Sequence, residues 1–433
     1  MSVKAYKASI LHFLDHPGTS SSKPANIEYF AEGLLLVKDG QIAKIGHSAA
    51  LLAELNTDIE VIDYSGKLII PGMIDTHIHY PQTDIIAAPG VQLLDWLEIY
   101  TFPAERAFSD EDVASETAKF FINELLRNGT TTALVFASVH KQSVDAFFTA
   151  AQKRQLRMIS GKVMMDRNCP EYLQDTPESS YRDSKSLIEK WHAVDRLHYA
   201  VTPRFAPTSS SLQLSMARKL LDEHDNLYLH THVAENLAEI KWVQELFPDS
   251  RSYLDVYQQH GLLQARSVLA HCIHLDEEDK KLMHATGTAC AFCATSNLFL
   301  GSGLFDVNDA WDYGINVGIG TDVGGGTSFS LLQTLAESYK VTKLLNKSLT
   351  AFQALYLATL GGAKSLYLDD KIGNFTVGKE ADFIVLNFDS TALIKRRIKC
   401  SNNLHEKLFA LMMLGDDRSV SAVYIMGGLA TID

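Results

Sequence analysis

The chain has 433 residues, 46% hydrophobic and 21% charged, with a net charge of −13. That length accommodates a large barrel plus a smaller domain, and the ordinary composition excludes a disordered or fibrous chain. The acidic balance argues against nucleic acid as a partner, because phosphate binding is driven by Lys and Arg, and five scattered cysteines do not form a disulfide framework.

Residues 1–17 hold a short apolar patch at 9–14 that His12 interrupts, so neither a signal peptide nor a membrane span is expected there. With no targeting or lipidation ending at 430–433, a cytoplasmic protein with no membrane partner is expected. Residues 18–24 read as a surface loop. Strands are expected at 33–38 and 41–46 around the hairpin signal Asp39–Gly40. Two more, at 61–64 and 68–70, flank a turn at Ser65–Gly66. The middle of the chain then alternates strands with amphipathic helices such as 110–127 and 212–223. The expected strands are 68–79, 130–137, 157–163, 197–205, 227–235, 267–272, 287–297 and 315–322. Eight such units in about 250 residues have the rhythm of an α/β (β/α)8 TIM barrel. Further strands at 382–387 and 421–426 resemble the first stretch. The expected organisation is a barrel over 68–365 and a small β-sandwich domain formed from both termini, 1–67 and 366–433.

Chemistry in such a barrel sits where strands end. The first expected strand ends in His77-Ile-His79, and residues two apart on a strand share a face. The fifth ends in His230-Thr-His232-Val-Ala-Glu235, the sixth in His271, the eighth in Asp322. Zinc takes imidazole nitrogen and carboxylate oxygen, and a catalytic site keeps one position for water. His230 shares a face with His232, so spacing alone leaves either as the ligand. Cys290-Ala-Phe-Cys293 lacks the preceding Pro and the H-x-E of nucleoside-type zinc deaminases. Its two thiols, three apart on a strand, are expected to face opposite ways into core.

The segments PGMIDTHIH (71–79), HTHVAE (230–235), AHC (270–272) and GTD (320–322), in that order, resemble the amidohydrolase superfamily. The resemblance runs over nearly the whole chain and includes 36–46 and 372–386. It implies one zinc per chain held by His77, His79, His232 and Asp322, and so favours His232 over His230. It further implies a water activated by the metal, Glu235 as proton shuttle, His271 orienting water or substrate, and Asp322 accepting a proton while holding the metal. Two-metal members carry a bridging Lys on the fourth strand. Here Lys162 falls on the third and Arg204 on the fourth, which favours a single metal.

Flanking segments HIHYPQ (77–82), GKVMMDRNCP (161–170), TPRFAP (202–207) and VGGGTS (323–328) are similar to members that deaminate guanine. That implies guanine as a small-molecule substrate, released as xanthine and ammonia in purine catabolism. The physical sense is good: Gln82 donates and accepts, Arg204 presents fixed donors to O6 or N7, and Phe205 stacks on the ring. His232, Glu235 and His271 complete the expected substrate contacts, and the glycines at 324–326 let backbone approach the ring. One departure is FCATSN at 292–297, where many members have Cys-Pro before Ser-Asn. His140 is expected to be a surface or structural residue. A homodimer is the family expectation. Three alternatives stay open: a one-metal deaminase of another purine, pyrimidine or triazine; a two-metal cyclic amidase; and a non-catalytic scaffold that kept the barrel.

Overall fold

The computed structural model describes residues 3–55, 59–90 and 92–432. Eight parallel strands run in chain order around a barrel: Met73–His79, Thr130–Phe136, Arg157–Gly161, His198–Pro203, Tyr228–Val233, Ser267–His271, Ala289–Phe292 and Val317–Ile319. Both faces of these strands are buried, which is why they read as apolar runs rather than as clean alternation. Small and branched side chains such as Ile74, Leu134, Ile159, Ala200 and Val268 fill the interior, where Ala363, Leu366 and Ile372 pack with them. The outward side chains pack against amphipathic helices. Asp110 caps the helix Glu111–Arg127 and Ser210 caps Ser211–Glu223, each accepting from backbone N–H groups of the first turn.

The first and eighth strands meet through the residues that end them. Asp322 N–H donates to His77 O, and His79 N–H to Val323 O, both at 2.9 Å. The buried Asp75 carboxylate reinforces this seam by accepting from Thr321 N–H and from its hydroxyl.

Strands from both chain ends form a separate seven-stranded sheet. Its order is Gly428–Leu429, Val420–Ile425, Phe383–Leu386, Glu60–Pro71, Val3–Phe13, Ile27–Lys38 and Gln41–His47. Tyr6, Phe383 and Tyr424 pack together on one face. Three local expectations are corrected. The run 68–79 divides at Gly72, with Glu60–Pro71 in the terminal sheet and only Met73–His79 in the barrel. A Cβ on Gly72 would stand 2.1 Å from Thr131 Oγ1, so the close approach of the second strand needs glycine there. The expected turn at Ser65–Gly66 is instead a bulge inside one continuous strand, with Gly66 at φ +83°. Finally, Val3–Phe13 is an inner strand that the sequence did not announce. His12 is buried within it, its Nε2 2.9 Å from Glu28 Oε2. No described helix is long and apolar enough to cross a membrane.

Candidate active site

The strand ends bring four donor atoms to one point. His79 Nε2 lies 3.1 Å from His77 Nε2 and 3.3 Å from His232 Nε2. Asp322 Oδ1 is 3.2 Å from His77 Nε2 and 3.3 Å from His79 Nε2. Donors about 2 Å from one tetrahedral zinc centre stand about 3.3 Å apart, so this set fits a single such ion. Burial lowers the imidazoles, His79 to about 3, and the neighbouring His77 pushes the same way. His232 is held well below its ordinary value by burial and by His77 and His79. Burial thus favours the neutral form of these rings, the form that ligates. Burial alone would raise Asp322, but His77 and His79 outweigh it and hold the carboxyl well below its usual range.

For His232 the face turned to the cluster is set by the opposite ring atom. His232 Nδ1–H donates to Arg204 O at 2.7 Å, which leaves Nε2 bare toward the cluster. His77 Nδ1 lies 2.7 Å from His230 Nε2. His230 thus stands behind His77, with its own Nδ1 unpartnered, and it is His232 that joins the donor set. Cys293 also comes within reach of His77, His271 and Asp322, but burial and the nearby Asp322 and Asp75 hold it as a neutral thiol. Cys290, on the strand Ala289–Phe292, packs in the outer core, whereas Cys293 lies just past that strand, where a helix begins, and packs in the barrel interior. Lys162 points elsewhere, paired with Asp175 and bonded to Val163 O at 3.1 Å. His140 is partly buried just before the helix Lys141–Lys153 and is not among the residues lining the cleft.

Above the cluster lies a small cleft. Glu235, His271, Gln82, Arg204 and Phe205 all line it. Burial, with the charge of Asp322 behind it, raises Glu235 to about 8. Ser302 Oγ donates to Glu235 Oε1 at 2.8 Å, while Oε2 faces His271 Nε2 at 3.3 Å. His271 Nδ1–H donates to Asn297 Oδ1 at 2.8 Å, so Nε2 is the bare atom on the cleft side. Gln82 Oε1 accepts from Gly324 N–H at 3.2 Å. Phe205 is both wall and core, packed edge-on to Trp242 with centroids 6.3 Å apart.

Sequence reasoning missed four residues here. Glu105, fully buried, accepts from Arg204 and Gln82. Nothing in the helical turns around it marks it. Asn297, on the short helix Ala294–Phe299, and Ser302 just beyond it hydrogen-bond His271 and Glu235. Glu239 lines the cleft and accepts from Glu235 N–H and Asn236 N–H. Its signal was legible, because Asn236-x-x-Glu239 is a capping box.

An eight-stranded barrel carries at its strand ends a His-rich cluster that could hold a metal ion, and the chain belongs to the amidohydrolase family, whose model matches residues 68–430. It is 52% identical over 430 residues to guanine deaminase of Escherichia coli K12, covering 99% of this chain and 97% of that protein. The solved structure of E. coli guanine deaminase matches with a TM-score of 0.96 over 99% of both chains. Guanine deaminase of C. acetobutylicum, solved with guanine in its active site, matches with a TM-score of 0.90 at 30% identity. That match covers 99% of this chain and 100% of the other.

Proposed function

We propose that this chain hydrolyses guanine to xanthine and ammonia. The observation that carries the reading is the convergence of His77, His79, His232 and Asp322 beneath a small cleft walled by Gln82, Arg204 and Phe205. The full-length likeness to guanine deaminases supports it. His77, His79, His232 and Asp322 would hold one zinc ion per chain. When bound, such an ion acidifies a water at neutral pH.

The protein's own groups do the rest. Arg204 and Gln82 grip the polar edge of the base, and Phe205, Leu93 and Trp96 exclude water from its face. Glu235, kept near neutrality by burial, carries a proton on its cleft-side oxygen. It gives that proton to a ring nitrogen or to the departing amine. Ser302 fixes the other oxygen of Glu235. His271, held by Asn297, presents a bare Nε2 that orients water or substrate, and Asp322 accepts a proton while holding the metal. One water is consumed, the amino-bearing carbon becomes a carbonyl, and one ammonia leaves. The reading includes a cytoplasmic homodimer, supported by the family resemblance.

The test is to incubate metal-assayed protein with guanine and measure xanthine and ammonia, with adenine, cytosine and hydantoin in parallel. Xanthine from guanine alone, with about one metal per chain, is the expected result. A metal-loaded protein that leaves guanine untouched overturns the reading.

A further inference from the structure

Arg204 and Gln82 do not stand alone against the base. Both oxygens of Glu105 accept from Arg204 Nη1, at 2.9 and 2.8 Å. One of them also accepts from Gln82 Nε2 at 3.1 Å. Glu105 is fully buried and comes from the short helix Phe102–Arg106, whose Phe102 ring lies 5.4 Å from the guanidinium. A buried charge is strongly unfavourable without a partner, so the pair is mutually required. Arg204 is also the one Lys or Arg among the described residues that line the cleft. Whether it is compensated therefore decides what charge that wall offers a ligand.

The geometry points to Glu105 as the positioning and specificity residue of this pocket. It locks the guanidinium fork and the Gln82 amide in place and keeps their wall electrically neutral. The pocket then takes a neutral purine and does not hold an acidic product. This inference rests on the guanine reading above. Replacing the exocyclic amine by a second carbonyl puts a ring N–H between two carbonyls. Such an imide ionises more readily than the N–H groups of the substrate. An uncompensated guanidinium would retain the resulting anion, whereas the Glu105–Arg204 pair offers it no net charge.

The experiment measures KM for guanine and Ki for xanthine at mildly alkaline pH in wild type, Glu105→Gln and Glu105→Asp. Metal content and melting temperature are recorded for each. Glu105→Gln is expected to raise KM on the order of tenfold, as the two donors lose their anchor, while Ki for xanthine falls. Glu105→Asp keeps the charge at shorter reach, so KM rises and Ki stays near wild type. A merely loosened pocket would raise both constants together. That result, or unchanged constants in a folded, metal-loaded Glu105→Gln protein, overturns the proposal. If Glu105→Gln does not fold, the double variant E105Q/R204M removes both charges at once. Its Ki for xanthine should then be at or above wild type, and a lower value overturns the proposal. Failure of the guanine reading is separate, since it would leave the wild-type enzyme itself without xanthine formation.

Discussion

Glu235 and His232 illustrate how little of a side chain's chemistry resides in the side chain. An ordinary glutamate is ionised at neutral pH. This one is raised to about 8 because burial and Asp322 disfavour its charge. Glu235→Gln keeps the shape and removes the transferable proton, so kcat should fall on the order of a hundred- to ten-thousandfold. Metal content should stay near wild type. Steady-state kinetics with metal analysis checks both, and near-normal turnover would remove Glu235 from the mechanism. His232 behaves differently because its proposed role is to hold a metal. Its Nδ1–H is committed to Arg204 O at 2.7 Å, which aims the other nitrogen at the cluster. His232→Ala should lower metal occupancy and the melting temperature together, because binding free energy is shared with the folded state. Stripping the wild type with a chelator should give the same loss of melting temperature, and metal re-addition should restore it.

Among the elements, the break at Gly72 shows what periodicity could not. Apolar residues run from Leu68 to Ile74 across Pro71 and Gly72, so pattern alone reads one strand. Two sheets share it, and they part at Gly72, where Thr131 lies close to the backbone. Gly72→Ala places a Cβ 2.1 Å from Thr131 Oγ1. It should destabilise by about 1–3 kcal/mol, the usual cost of overpacking. A denaturant melt reads this as a lower midpoint with unchanged slope, and wild-type stability would mean the two strands part without strain. Helix starts were more legible. Asp110 and Ser210 stand where each helix begins, and short polar side chains there satisfy amide groups that the helix leaves unpaired.

At the scale of the whole molecule, the barrel is fastened to the C-terminal segment by buried charges. Arg157 and Arg196 both reach Glu380, and Arg196 also reaches Asp382. Burial would raise Glu380, but Arg157 and Arg196 outweigh it and hold the carboxyl below its ordinary value. Its contribution is present above the unfolded pKa of 4.5 and is lost as pH falls through the lower folded value. Nearby His198 is lowered to about 4 by burial first, then by Arg157 and other cations. That depression gives stability above the unfolded pKa of 6.5, and it is lost as pH falls toward 4. Stability should therefore decline on the acid side in two stages, the earlier from His198. Melting temperature against pH should fall less steeply between those two values in His198→Gln. An unchanged slope there would show that His198 does not carry the early stage.

The sequence by itself determined the eight-unit barrel rhythm and the candidate metal-site residues at its strand ends. Each of these rests on local spacing: His77 and His79 two apart, His232 and Glu235 three apart, and Asp322 at the end of the last strand. Spacing could not choose between His230 and His232, because both face inward on one strand. Only the packed barrel puts His230 behind His77 and His232 onto the cluster. Glu105, Asn297 and Ser302 were likewise invisible, since their partners lie far away in the chain and no short-range pattern marks them. A periodicity is a property of neighbours in sequence. A charge pair between residues 105 and 204 exists only once the fold has closed.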